Sequence, residues 1–336
     1  MTDEENLDLL YLNRPVLKPT ARTWAKHIAL LAITFCTATV AGLMYPFGSY
    51  PWFERFDPQT FGELLNLPFV YPALLLDAIR YASMQPGGLA YGLTFAASLL
   101  FILISHEMGH YIACRRYHVD ATLPFFIPTP PMVGPAGTFG AFIKILSPMP
   151  SRKAVFDIGV AGPIAGFIAL IPIAIVGVAT MQVSPQTTVV QEGTLTFTDP
   201  LFMRLIALVF GKDLHFAVGN AFYFAAWVGL LVTALNLIPS GQLDGGHAIY
   251  AVFGEKVHRW TGRIAFPVMA TLSIVGLIYF GSPSGFLVAI IVAVMMRVHH
   301  PQPWDMTPLD AKRKFVALLT LVIFALCFVP FPIQIN

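Results

Sequence analysis

The amino-acid sequence predicts an all-α polytopic membrane protein of about seven transmembrane helices with one re-entrant β-element. Three observations carry that prediction. The 336 residues are 56% hydrophobic and 11% charged, with a mean hydropathy of +0.70, whereas soluble domains carry about 25% charged residues. Seven apolar runs, at 27–46, 88–114, 154–179, 214–239, 264–281, 284–298 and 314–332, approach the length that crosses a hydrocarbon core about 30 Å thick. Counted over the loops that these runs would leave, sixteen of the twenty Lys and Arg fall on one side, and only Arg55, Arg80, Arg204 and Lys212 on the other. Such an imbalance sets the basic side, and with it the N-terminus, in the cytoplasm.

The same composition limits function. A net charge of +2 is uninformative by itself, and the absence of any basic run long enough to bind nucleic acid points away from such a partner. Cys36, Cys114 and Cys327 stand in or beside apolar runs at no metal-like spacing, as small packing residues do. No internal repeat is evident. The acidic start MTDEENLDLL lacks the basic-then-apolar order of a signal or transit peptide, which points to a bacterial cytoplasmic membrane.

In chain order, 1–26 reads as a cytoplasmic segment before the first span. The stretch 61–82 has an apolar centre too short to span, broken by Pro68 and Pro72, and reads as interfacial. The second span ends in SHEMGHYIAC, Ser105 to Cys114. His106 and His110 lie four residues apart, so on a helix both imidazoles leave one face, one turn apart. Glu107 reaches toward the same cavity. Two neutral imidazoles in this register bind zinc, and the neighbouring carboxylate handles the proton of an attacking water. A helix end at the interface would account for one histidine but not for all three groups, since ionisable residues inside a span usually mark a functional site. His118, about 12 Å further along the axis, reads as interfacial.

Residues 124–150 contain too many prolines for a spanning helix, yet Thr138 to Ile145 is β-prone. A strand edge cannot face lipid unpaired. This stretch is therefore expected to form a re-entrant element near the active site, its free edge open to an unwound substrate by strand addition, with Gly140 at its middle. A plain cytoplasmic linker is the competing account. After the third span, TTVVQEGTLTF reads as a hairpin turning at Glu192–Gly193. GSPSG (281–285) joins the fifth and sixth spans as a helical hairpin.

Zinc needs a third protein ligand at matching depth. Asp157 opens the third span beside Arg152 and Lys153 and reads as a solvated end residue. Asp244 lies in NLIPSGQLDGGHAIY, Asn236 to Tyr250, where Pro239 and Gly241 break the helix. Broken helices at membrane depth occur around buried or wet cavities. His110 is six residues before Arg116 and Asp244 twelve before Lys256, so both fall toward cytoplasmic span ends. A bland Gly- and Asp-rich turn would explain LDGG alone, but not Asn236 and Pro239. His299 and His300 point apart as neighbours, and His27, His215 and His258 read as interfacial.

HEMGH in one inward-running span and NLIPSGQLDGGH at the end of a later one resemble the site-2 protease family of intramembrane zinc metalloproteases, whose pattern is HExxH plus N-x-x-P-x-x-x-L-D-G. GVAGPIAGF, Gly159 to Phe167, is similar to the family's middle core helix. The resemblance implies a catalytic core over 88–250, with 27–87 and 251–336 accessory. It implies His106, His110 and Asp244 as zinc ligands, Glu107 as catalytic base, and Asn236 as a residue that positions the substrate or polarises its carbonyl. His247 occupies a position often polar in the family and could serve the oxyanion. Substrates would be transmembrane segments of other membrane proteins within the lipid bilayer. The interval 181–213 is too short for the PDZ domain of many bacterial relatives. Two rivals remain: a transporter using the buried His, Glu and Asp as an ion path, and a silent homologue that binds membrane helices. One broken helix without a paired repeat speaks against the first, and an intact Glu107 against the second.

Overall fold

The structure, a computed structural model, describes residues 18–44, 60–131, 136–183, 195–298 and 302–335. Expectations for the first seventeen residues, for the Glu192–Gly193 turn and for His299 and His300 lie outside the described residues. In chain order the elements are α1 (Ala21–Met44), α2 (Phe61–Leu65), α3 (Leu67–Met84), α4 (Gly88–Arg116), β1 (Phe125–Pro128), β2 (Thr138–Phe142), α5 (Arg152–Thr180), β3 (Gln182–Val183) and β4 (Leu195–Phe197). They continue with α6 (Leu201–Val209), β5 (Ala217–Val218), α7 (Ala221–Asn236), α8 (Asp244–Phe253), α9 (Glu255–Phe280), α10 (Ser284–Met295), α11 (Ala311–Cys327) and β6 (Ile333–Ile335).

Four of these helices are long and apolar enough to cross a membrane: Ala21–Leu43, Gly88–Arg116, Arg152–Thr180 and Glu255–Phe280. The other three expected spans are helices of 16, 12 and 17 residues, namely α7, α10 and α11. At 1.5 Å per residue the first of them is roughly 24 Å long, short of a full hydrocarbon core. Its shortening has local causes. Residues 214–216 form a 3-10 turn and Ala217–Val218 pair with Gln182–Val183. The side chain of Asn220 then caps α7 by accepting from the Tyr223 N–H, and the helix stops at Asn236. Pro68 and Pro72 do not break 67–84: Pro68 sits in the first turn, where an amide hydrogen has no intrahelical partner, and the helix continues through Pro72.

The centre of the molecule is α4, against which α1, α5 and α7 all pack. Phe95, Leu99, Leu170 and Leu230 are fully buried there, as an all-apolar helix surrounded by helices requires. The hairpin β1–β2 is antiparallel, pairing Phe125 with Phe142 and Phe126 with Ala141. It is fastened along α1. The His27 imidazole donates to the Pro124 carbonyl at 2.8 Å and the Thr37 hydroxyl to the Gly137 carbonyl at 2.7 Å. His27, expected at the interface, is buried within the protein, where it supplies a donor to the hairpin's outer carbonyl. The run LTF forms β4 but pairs with β6 near the C-terminus. The hairpin of α9 and α10 forms as its glycine-rich joint suggests, Gly285 lying flush against Ser273. Cys114 and Cys327 are buried, whereas Cys36 is exposed on the flank of α1.

Asp157 is not a solvated end residue. Arg313 of α11 reaches it with two nitrogens at 2.7 and 2.9 Å, the Tyr117 hydroxyl donates to it, and Arg313 also bonds Tyr117 and Asp310. The fork ties α11 to the ends of α4 and α5. Replacing Arg313 with Met should lower unfolding free energy by about 1–2 kcal/mol, the range of a charged hydrogen-bond pair discounted for partial exposure. Thermal unfolding in detergent measures this, and Arg313→Lys should recover only part because an ammonium cannot make the bidentate contact.

Candidate metal centre

The centre is built where α4, α5 and the start of α8 meet. His106, Glu107 and His110 are 4, 5 and 7% exposed on the inner face of α4. Opposite them, α5 presents no side chain where the rings stand. A Cβ on Gly162 would overlap the His110 imidazole, and one on Gly166 would come within 3.1 Å of the His106 Cβ. The glycines of GVAGPIAGF are therefore the volume that the two rings occupy. The helices also touch backbone to backbone, since a Cβ on Gly109 would collide with the Ala161 carbonyl.

The third donor arrives through the broken segment. After Asn236 the chain turns through Pro239 and Gly241 and re-enters a helix at Asp244. Gly241 has φ +53° and lies against the Met295 carbonyl, where no side chain would fit. The His258 imidazole donates to the Gly241 carbonyl at 2.9 Å, and this histidine too is buried within the protein. At the far end of α8, Arg152 donates to the carbonyls of Ala251 at 2.6 Å and Val252 at 3.1 Å, satisfying acceptors that helix ends leave open. Asp244 thus begins a helix pinned at both ends.

The result is a compact donor set. The Nε2 atoms of His106 and His110 are 3.2 Å apart, and each lies 3.3 Å from one carboxylate oxygen of Asp244. A tetrahedral zinc with bonds of about 2.0–2.1 Å to nitrogen and oxygen separates its ligands by roughly 3.3 Å, so these distances fit that ion. His110 Nδ1 donates to the Ile158 carbonyl at 2.7 Å, which leaves the Nε2 lone pair directed at the other donors. Glu107 stands beside the set, its carboxylate 4.0 Å from His106 Nε2. Ile143, just beyond β2, lines the same cavity as Glu107. Asn236 brings its amide nitrogen to 3.3 Å from His106 Nε2.

These groups line a cavity of about 650 Å³ together with His247, Gln242 and residues 141–149. His247 packs its Cβ against Gly159. Gly140 does not reach this cavity. It has φ +95° and lines a second, apolar cavity of about 390 Å³ beside β2, with Phe139, Trp227 and Gly285 among its walls. The Ile158 carbonyl is a backbone group that no residue type announces. Arg152 carried a signal only as one more basic span end.

Comparison with known proteins places this geometry among relatives. The model of "Peptidase family M50" matches residues 94–280, more than half of the chain. The "Probable zinc metalloprotease EGY1, chloroplastic" of Oryza sativa subsp. japonica is 28% identical over 337 residues, covering 95% of this chain and 53% of that protein. Its namesake from Arabidopsis thaliana is 30% identical over 244 residues, covering 71% and 43%. The Arabidopsis thaliana "Probable zinc metalloprotease EGY2, chloroplastic" is 27% identical over 269 residues, covering 78% and 46%. The chain spans about half the length of these curated relatives. All three are chloroplastic by name, so the expected bacterial cytoplasmic membrane finds no support among them.

Gly162→Ala should expel the His110 ring and strip the site. Zinc per chain, measured by atomic absorption after dialysis against a buffered metal, is expected to fall well below that of wild type. Gly166→Ala, whose added methyl meets only a 3.1 Å approach, should lose less.

Proposed function

The chain belongs to peptidase family M50, the site-2 protease family, and on that premise we propose that it is an intramembrane zinc metalloprotease hydrolysing peptide bonds within or near transmembrane segments of membrane proteins. The observation that carries this reading is the convergence of His106, His110 and Asp244 within 4.8 Å of one another, beside Glu107, in an otherwise apolar helical core. His106, His110 and Asp244 would hold the zinc. When bound, zinc supplies Lewis acidity, polarising a carbonyl and bringing the pKa of water down to about 7.

The protein's own groups do the rest. Glu107 takes a proton from the attacking water and returns it to the amine nitrogen as the C–N bond breaks. Asn236, already beside His106, donates its amide hydrogen to the substrate carbonyl or backbone, and His247 lies in the same wall, in reach of the developing oxyanion.

The hairpin supports a mode of substrate entry. Lys144 and Leu146 direct their main chains toward residues 120–122, where Lys144 exchanges bonds with Thr122 and the Leu146 N–H donates to the Asp120 carbonyl. Ile143 and Ile145, alternating with them, turn their main chains to the opposite edge and line the cavity that holds Glu107. One edge is thus paired and the opposite edge faces the cavity, so an unwound substrate adds as a further strand beside the catalytic groups. In this reading β1–β2 is re-entrant, the shorter helices complete seven spans, and Gly140 keeps the strand in shape for substrate. The basic loops and N-terminus lie on the cytoplasmic side of a bacterial membrane, or on the stromal side if the protein shares the compartment named for its relatives.

Glu107→Gln should keep one zinc per chain and lose about 10²–10⁴-fold in cleavage of transmembrane peptides in detergent or lipid. Ion flux without cleavage by wild type would favour a transporter, and peptide binding without cleavage a silent homologue. Gly140→Pro should abolish cleavage with zinc content intact, because proline cannot adopt φ +95° and removes the N–H that donates to the Thr138 hydroxyl at 3.0 Å. Normal cleavage by that variant would discard strand addition.

A further inference from the structure

We propose that Lys144 selects substrates carrying an acidic side chain within two residues of the bond to be cut; the inference rests on the protease reading and on strand addition. Of the described residues that line the metal cavity, Lys144 is the one Lys or Arg. Its main chain is committed to the inner edge, the N–H donating to the Thr122 hydroxyl at 2.9 Å and the carbonyl accepting from the Thr122 N–H at 2.9 Å. The side chain is free to project. It is exposed, on the same strand face as exposed Phe142 and Leu146, and among the described residues no acid pairs with it.

Register then fixes what it meets. The residue before it, Ile143, turns its N–H by alternation to the opposite edge, which lines the same cavity as Glu107, so a strand added at this edge brings its scissile bond opposite Ile143. The substrate residue facing Lys144 is therefore its immediate neighbour, with Cβ atoms about 4.5–5.5 Å apart and both side chains on one face. With zinc held, its two positive charges offset the carboxylates of Asp244 and Glu107, so among the described residues Lys144 is the one uncompensated charge on the cavity wall. A basic residue at the facing position meets a like charge. The recognised chemistry is a carboxylate, from an Asp or Glu side chain.

The test uses the full-length protein in lipid and a set of apolar peptides, all C-terminally amidated, with Glu, Gln or Lys scanned over the two positions on each side of the scissile bond. Wild type should cleave the best Glu peptide with kcat/KM about two- to fivefold above its Gln analogue, the span of a cross-strand charge pair. The ratio should fall to one in Lys144→Met, and in Lys144→Glu the Lys peptide should overtake the Glu peptide. The same ratios are read as Kd values in the Glu107→Gln background, and absence of all cleavage by wild type would sink the protease reading, whereas cleavage with no Glu preference would sink this proposal alone. A Glu preference that survives in Lys144→Met overturns the proposal. So does a charge reversal that slows every peptide equally, since that is the behaviour of a lysine that merely anchors the hairpin at the interface.

Discussion

Two helices that touch without side chains between them make the rest of this architecture possible. Gly109 of α4 rests on the Ala161 carbonyl of α5, and Gly162 yields its side-chain volume to an imidazole. Leucine at either place would pack well in a membrane helix but would push the helices apart and close the space for the donors. The small residues thus serve approach and room together. Once the helices are that close, the Ile158 carbonyl falls within hydrogen-bond reach of His110 Nδ1, and the tautomer needed for a ligand follows from the packing.

Around this contact the molecule separates two kinds of space. The polar cavity sits beside the donors, and the apolar one lies further along α4, walled by Leu99 and Leu103, about two turns and one turn before His106. The β2 strand runs from one to the other: 138–140 line the apolar cavity and 141–146 the polar one. On α7 the same change happens between Leu235 and Asn236. An extended chain lying along that strand would pass from an oily environment to a wet one within a few residues, so water needs to be admitted only at one end.

Much of this was legible in the sequence where side-chain chemistry is periodic or costly. HEMGH announced a donor pair because helical spacing and buried charge coincide at His106, Glu107 and His110. NLIPSGQLDGG announced a break at membrane depth, and β-prone 138–145 announced the strand. The apolar run 214–239 is longer than the helix within it, because it begins in non-helical backbone. Residues 214–220 are as apolar as a helix start but are used as a 3-10 turn and a short strand. Three polar residues near span ends carry bonds that their position in the sequence does not suggest. His27, Asp157 and His258 instead satisfy groups brought from distant parts of the chain, at Pro124, Arg313 and Gly241. Such partners are set by packing, and no local pattern encodes them.

The carbonyl of Gly241 accepts from a histidine on α9, and the same glycine rests against Met295 at the end of α10. Only two residues, Gln242 and Leu243, separate it from Asp244. The hairpin formed by α9 and α10 is therefore a splint for the aspartate rather than an appendage. A polypeptide stopped after α8 would keep every motif residue yet lose the brace that sets the carboxylate's height against the imidazoles, so motif content alone is a poor guide to how little of the chain can assemble the centre.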